Sequence, residues 1–150
     1  GGLLSQMHRS HFLGPQLVVN ALDIVDSRRK FIEMTYPLVE FLHTDVANLP
    51  AQAMWDVVYC SNTIEHIDDS RAFIQTVMAH TQGYAVFLAP YREAMPLSLD
   101  HRLQIDEQTF EGFVVHSMKV FRTAAWPATA DGTEREQILV VLKSASTASA

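Results

Sequence analysis

The stretch that most constrains this chain runs from Trp55 to Asp69. Asp56 precedes an apolar run, Val57-Val58-Tyr59-Cys60, which is the pattern of a buried strand. Three small polar residues follow, Ser61, Asn62 and Thr63, where such a strand opens into a crevice. The acid pair Asp68-Asp69 and Ser70 can cap a helix predicted over Arg71 to His80. Its Phe73, Ile74, Val77 and Met78 fall on one face. Strand, polar lip and capped helix make half of a βαβ unit. Ligands of open α/β sheets bind at the carboxyl ends of such strands.

The segments on either side repeat this grammar. Leu3, Leu4, Met7, His8 and His11 lie on one helical face, and Phe12 to Pro15, with Gly14, ends that helix. Leu17 to Leu22 reads as a buried strand with Asp23 at its carboxyl end. Asp26 or Ser27 can cap a helix through Arg28 to Met34, which Pro37 stops. Val39 to His43 is a short strand ending in Thr44-Asp45, and Asn48-Leu49-Pro50 turns the chain away. After the central helix, Gly83 starts a continuous apolar strand, Tyr84 to Ala89, stopped by Pro90.

The last third differs in style. Residues 91–105 have weak periodicity and read as a loop, a candidate substrate rim. Asp106 to Phe113 suggests a short helix. Val115 to Thr123 and Arg135 to Lys143 read as two strands, and 124–134 joins them as a hairpin connection. Ser144 to Ala150 is small and polar, the composition of a frayed tail. No internal repeat or second-domain boundary is visible, so residues 1–150 are expected to form one α/β domain.

Composition removes several function classes. The 150 residues carry a net charge of −6, which disfavours a nucleic-acid surface. A single cysteine, Cys60, excludes an internal disulfide and any multi-cysteine metal site. No apolar run approaches a membrane span, and no charged-then-apolar leader opens the sequence, so the expectation is a cytoplasmic protein that engages no membrane. The seven histidines raise the question of a metal, but no spacing announces convergent ligands, and none is expected.

The run from Asp56 to Asp69, with Asp56-Val57-Val58 followed by Ile64-Glu65-His66-Ile67 and Asp69, resembles the fourth-strand motif of class I S-adenosylmethionine-dependent methyltransferases of the type 11 kind. The order of elements resembles that family over nearly the whole chain. The resemblance implies a Rossmann-like sheet with helices on both faces and a C-terminal antiparallel hairpin. It departs at the start. The family opens with a strand and a glycine-rich loop, and here only Gly1-Gly2 match the end of such a loop. The expectation is therefore an N-terminally truncated methyltransferase domain lacking its first strand. The edge so exposed raises the prospect of a homodimer.

The resemblance also assigns residues. Asp23 would accept hydrogen bonds from the ribose hydroxyls of S-adenosylmethionine, as acids do in dinucleotide folds. Ile24 would pack on the adenine. Asp45 would receive the adenine amino group, and the Val46 N–H would meet the ring. Gly1 and Gly2 would face the amino-acid end of the cofactor, and Ser61 and Asn62 would line the floor near it. Each has a plainer alternative: a solvated acid for Asp23, a turn cap for Asp45, a strand-to-helix corner for Ser61-Asn62.

Glu65 and His66 form the sharpest pair. An imidazole titrates near neutrality and can draw a proton from a hydroxyl or amine acceptor. His66 and, in the rim loop, His101 are thus the candidate catalytic residues, against a structural alternative in which His66 bonds a loop carbonyl. Tyr91, Arg92 and Glu93 flank the same rim. Cys60 reads as a small buried hydrophobe rather than a nucleophile. The expected reaction is methyl transfer to a small-molecule acceptor. The alternative is a non-catalytic remnant of the fold that serves as a binding or scaffold module. A nicotinamide-dependent oxidoreductase is less favoured, because the antiparallel C-terminal strand pair argues against it.

Overall fold

A computed structural model describes residues 17–123 and 135–145. The expected first helix, Gly1-Gly2 and the connection 124–134 lie outside the described residues. The chain divides into two compact units, Gly1–Pro50 and Ala51–Ala150.

In the first unit, β1 (Val19–Asp23) and β2 (Val39–His43) run parallel, with Val19 opposite Val39 and Asp23 opposite His43. Parallel neighbours need a crossover. It is supplied by a 3-10 turn at Asp26–Arg28 leading into α1 (Arg29–Thr35). Neither Asp26 nor Ser27 caps this helix with its side chain; Asp26 instead receives the Arg29 guanidinium at 2.6 Å. Among the described residues of this unit, Tyr36, Val39 and Phe41 are the buried apolar ones, with Arg29 lying over the Phe41 ring.

The second unit holds a four-stranded sheet in the order β3-β4-β6-β5. The strands are β3 (Trp55–Ser61), β4 (Thr81–Pro90), β5 (Val115–Arg122) and β6 (Glu136–Lys143). β3 and β4 are parallel, joined through α2 (Ser70–Ala79). β6 runs antiparallel to both β4 and β5. Asp69, rather than Asp68 or Ser70, caps α2 by accepting from the Ala72 N–H at 2.9 Å.

The core of this unit follows the two periodicities. Ile74 and Val77 come from one face of α2; Ala85, Phe87 and Ala89 alternate along β4; Ile138, Val140 and Leu142 alternate along β6. Ile105 and Phe110 are buried as well, Phe110 meeting Phe87 at 5.9 Å between centroids. Each large side chain so buried contributes about 1.5–3 kcal/mol.

β4 starts earlier than its apolar run suggests, at Thr81 rather than Tyr84. The extension is allowed by Gly83. A Cβ there would stand 2.5 Å from the Asp56 carbonyl oxygen, at the point where the β3–β4 register shifts. Only a glycine admits so close a backbone approach. The helix expected after Asp106 is a single 3-10 turn, Glu107–Phe110, fixed by a capping box between Asp106 and Thr109.

Candidate functional site

In the first unit, both acids singled out in the sequence follow carboxyl ends of paired parallel strands. Asp23 ends β1, and its backbone carbonyl accepts the Thr44 N–H at 3.1 Å, one residue before Asp45. The two carboxylates thus sit on one margin of this sheet. Asp23 Oδ1 accepts the Val25 N–H at 2.9 Å, which turns the chain out of the strand. Asp45 Oδ1 accepts the Ala47 N–H at 2.9 Å, capping the 3-10 turn Val46–Asn48. The plainer role of Asp45 is therefore present, and an exposed carboxylate remains at the strand end. Ile24 is 66% exposed, an apolar side chain set on the surface beside Asp23.

In the second unit, Ser61 is the last residue of β3 and Asn62 turns the chain. Asn62 has φ of +49°, the left-handed region that asparagine tolerates better than most residues. Its N–H donates to the Leu88 carbonyl at 2.7 Å, its side-chain amide to Ser61 Oγ at 3.1 Å, and Gln137 donates to its Oδ1 at 3.4 Å. The corner is half-buried and held from three sides.

Past this corner the second unit gathers a dense polar group. Ile64–His66 form a 3-10 turn, which aims Glu65 inward: it is 1% exposed. Neither of its carboxylate oxygens has a hydrogen-bond partner. Burial pushes its pKa up; the dipole of its own backbone N–H and, after it, the nearby imidazoles of His66 and His101 oppose that rise. The loop returns to meet it: the Arg102 N–H donates to the Glu65 carbonyl at 2.7 Å.

This brings His101 against His66, edge to face with centroids 4.8 Å apart. His66 Nδ1 faces the Asp100 carbonyl oxygen at 3.1 Å, the loop-carbonyl contact that its structural alternative anticipates. His101 Nδ1 meets the Glu93 carboxylate in a short hydrogen bond, and Glu93 also accepts from the Ser98 N–H and hydroxyl. Burial works against the Glu93 charge. The Ser98 and His101 hydrogen bonds outweigh it and hold the carboxyl below its ordinary range.

The remaining rim residues serve each other. Tyr91 donates to Glu107 at 2.7 Å and Arg92 pairs with it at 2.9 Å. Cys60 is half-buried, and burial pushes its thiol up to about 11. It is a poor nucleophile at neutral pH. In the sequence Glu93 stands out only as a flank of the rim; its partnership with His101 and Ser98 depends on how the loop folds back.

No family model matches the sequence, and no curated protein matches it. Solved structures do. The N-methyltransferase NodS from Bradyrhizobium japonicum WM9, in complex with S-adenosyl-L-homocysteine, matches with a TM-score of 0.64 at 13% identity over 84% of this chain. TehB from Haemophilus influenzae matches with a TM-score of 0.62, also at 13% identity and 84% coverage. The [4+2]-cyclase SpnF gives a TM-score of 0.65 at 10% identity over 94%. The chain spans 66% of NodS, 49% of TehB and 71% of SpnF. These likenesses show the fold: the chain has the fold of class I S-adenosylmethionine-dependent methyltransferases.

Proposed function

We propose that this chain takes part in S-adenosylmethionine-dependent methyl transfer to a small-molecule acceptor. The observation that carries the reading is the placement of Asp23 and Asp45 at the carboxyl ends of adjacent parallel strands in this fold. Fold alone does not decide function, as a cyclase among the similar structures illustrates. Residues 1–150 then act as one domain.

The residues present fit the cofactor's chemistry. A carboxylate at the end of β1 suits the two ribose hydroxyls, since charged acceptors make the stronger hydrogen bonds. Ile24 offers apolar surface to the adenine beside it, and Asp45 with the Val46 N–H meets the ring's polar edge. The same reading assigns Ser61 and Asn62, at the carboxyl end of β3, to the methionine part of the cofactor. When bound, S-adenosylmethionine supplies a methyl group already activated on a sulfonium sulfur. The chain must then orient an acceptor lone pair in line with that methyl and exclude water.

His66 and His101 form the acceptor side. Glu93 orients His101, the arrangement in which a carboxylate fixes an imidazole facing a substrate. The net negative charge and the absence of a long apolar helix among the described residues favour a small, water-borne acceptor over nucleic acid or membrane, in the cytoplasm. Self-association as a homodimer belongs to the same reading, since β3 lies at the end of its sheet.

Calorimetric titration with S-adenosylmethionine, S-adenosylhomocysteine and NAD tests it. Heat with the first two and none with NAD is expected. Silence with every ligand supports the scaffold alternative for this chain, and heat with NAD alone overturns the assignment.

A further inference from the structure

We propose that Glu65, His66 and His101 form a binding site for a divalent cation of the zinc class. It deepens the reading above, and rests on it only for the consequence to the acceptor. The binding itself stands on the geometry of the second unit.

One ligand atom from each of the three residues lies within 4.8 Å of the others. His66 Nε2 stands 3.9 Å from Glu65 Oε1. Tetrahedral ligands about 2.1 Å from a zinc ion are roughly 3.4 Å apart. Closure therefore needs an inward movement of about 1 Å, within reach of side-chain rotation.

Two features separate this group from a chance cluster. The first is Glu65 itself, 1% exposed, with both carboxylate oxygens lacking a hydrogen-bond partner. A buried carboxylate in that state is costly to keep charged unless something pairs with it. A cation between the two imidazoles supplies that pairing.

The second is the orientation of the imidazoles. His66 turns Nδ1 to the Asp100 carbonyl, and His101 turns Nδ1 to the Glu93 carboxylate. Both partners only accept, so in each neutral ring the proton sits on Nδ1 and the lone pair on Nε2. Metal-bound histidines are oriented in this way, with a carbonyl or carboxylate behind the ring. Two imidazoles and one carboxylate suit zinc better than magnesium or calcium, which prefer all-oxygen shells.

Three protein ligands leave a position open. In the methyl-transfer reading, that position takes the acceptor's oxygen or nitrogen. A cation held there would polarise the acceptor so that its proton passes to solvent water, and the role of the imidazoles would be to hold the ion.

The spacing of these residues does not announce such a site, because Glu65-His66 and His101 come from separate segments. The loop meets the turn through the Arg102 N–H on the Glu65 carbonyl and the Asp100 carbonyl on His66 Nδ1.

Calorimetry of the full chain with zinc chloride, after chelator treatment and dialysis, tests the proposal. Cobalt(II) absorption in the visible range reports the geometry. One zinc per chain is expected, with affinity falling at least tenfold in His66→Ala and His101→Ala. Glu65→Gln keeps the shape of the side chain, so it tests the ligand even where alanine variants fail to fold; it should lose affinity similarly. Glu93→Gln should weaken binding about 10-fold through His101. His116→Ala, at an exposed histidine beside Tyr84, should leave binding unchanged. No uptake of either metal, or unaltered affinity in Glu65→Gln and His101→Ala, overturns the site. Zinc binding without any response to S-adenosylhomocysteine retains the site and removes only its catalytic setting. The reverse result removes the site and leaves the methyl-transfer reading standing.

Discussion

The backbone N–H of Arg102 donates to the carbonyl of Glu65 at 2.7 Å. One hydrogen bond thus ties the rim loop to the turn that buries the Glu65 side chain. Within the loop, Glu93 accepts from Ser98 and His101. Glu93→Ala removes a carboxylate that three donors share, and the loop loses its internal hub. A destabilisation of about 2–3 kcal/mol is expected, since hydrogen bonds to charged groups are worth roughly 1.5–3 kcal/mol. Urea denaturation in the presence of a chelator measures it. An unchanged midpoint would show that the loop closes without Glu93.

Glu65 should behave in the opposite sense. A buried carboxylate without hydrogen-bond partners is a liability in the metal-free chain. Glu65→Gln then leaves stability in chelator unchanged or raises it by about 1 kcal/mol, because a neutral amide is cheaper to bury than a charge. The same variant should lose the stabilisation that zinc gives the parent. Thermal melts with and without zinc separate the two effects.

Asp23 carries the strongest expectation for the cofactor. Asp23→Asn keeps an oxygen for the Val25 N–H but removes the charge at the end of β1. Loss of charged acceptance should weaken S-adenosylhomocysteine binding by about 10- to 100-fold, equivalent to roughly 1.4–2.8 kcal/mol. Titration calorimetry reads this directly. Equal affinity in the variant would remove Asp23 from the ribose role.

Gly83 tests the packing between the first two strands of the larger sheet. A methyl group at this position runs into the Asp56 carbonyl at 2.5 Å, and backbone cannot swing aside as a side chain does. Gly83→Ala should cost about 1–3 kcal/mol. Chemical denaturation of the variant checks it.

Cys60 gives a prediction in pH. Burial raises its thiol to about 11 from an ordinary value of 9.0. At pH 8 alkylation of the folded chain should run about two orders of magnitude slower than that of an unfolded peptide, because the thiolate is the nucleophile. The folded state holds its proton more tightly than the unfolded state. The stability this contributes is complete below pH 9 and is lost as pH rises toward about 11. Iodoacetamide labelling at pH 8, with and without urea, tests the rate.

Much of the architecture was legible because the strands and helices obey simple periods. Val39–His43 is found where expected, and β3 and α2 within a residue or so of it. Boundaries failed where tertiary contact decided them. Thr81 joins β4 because Gly83 lets two backbones approach, and no propensity scale encodes that neighbour. Asp26 looked like a cap but pairs with Arg29, a choice made by side-chain geometry within one turn. The site was half legible. Glu65-His66 stands out as a motif, and His101 only as a histidine in a polar loop. Their meeting, and Glu93 behind them, depends on a hydrogen bond between segments with no sequence signature.

The left-handed backbone at Asn62 has a consequence for mutational scanning. Glycine should be accepted there, aspartate nearly so, while valine or isoleucine would be rejected for steric reasons alone. A narrow tolerance profile at this corner would therefore report torsional demand rather than ligand recognition. The glycine variant tells the two apart, because it keeps the path of the chain while deleting the amide.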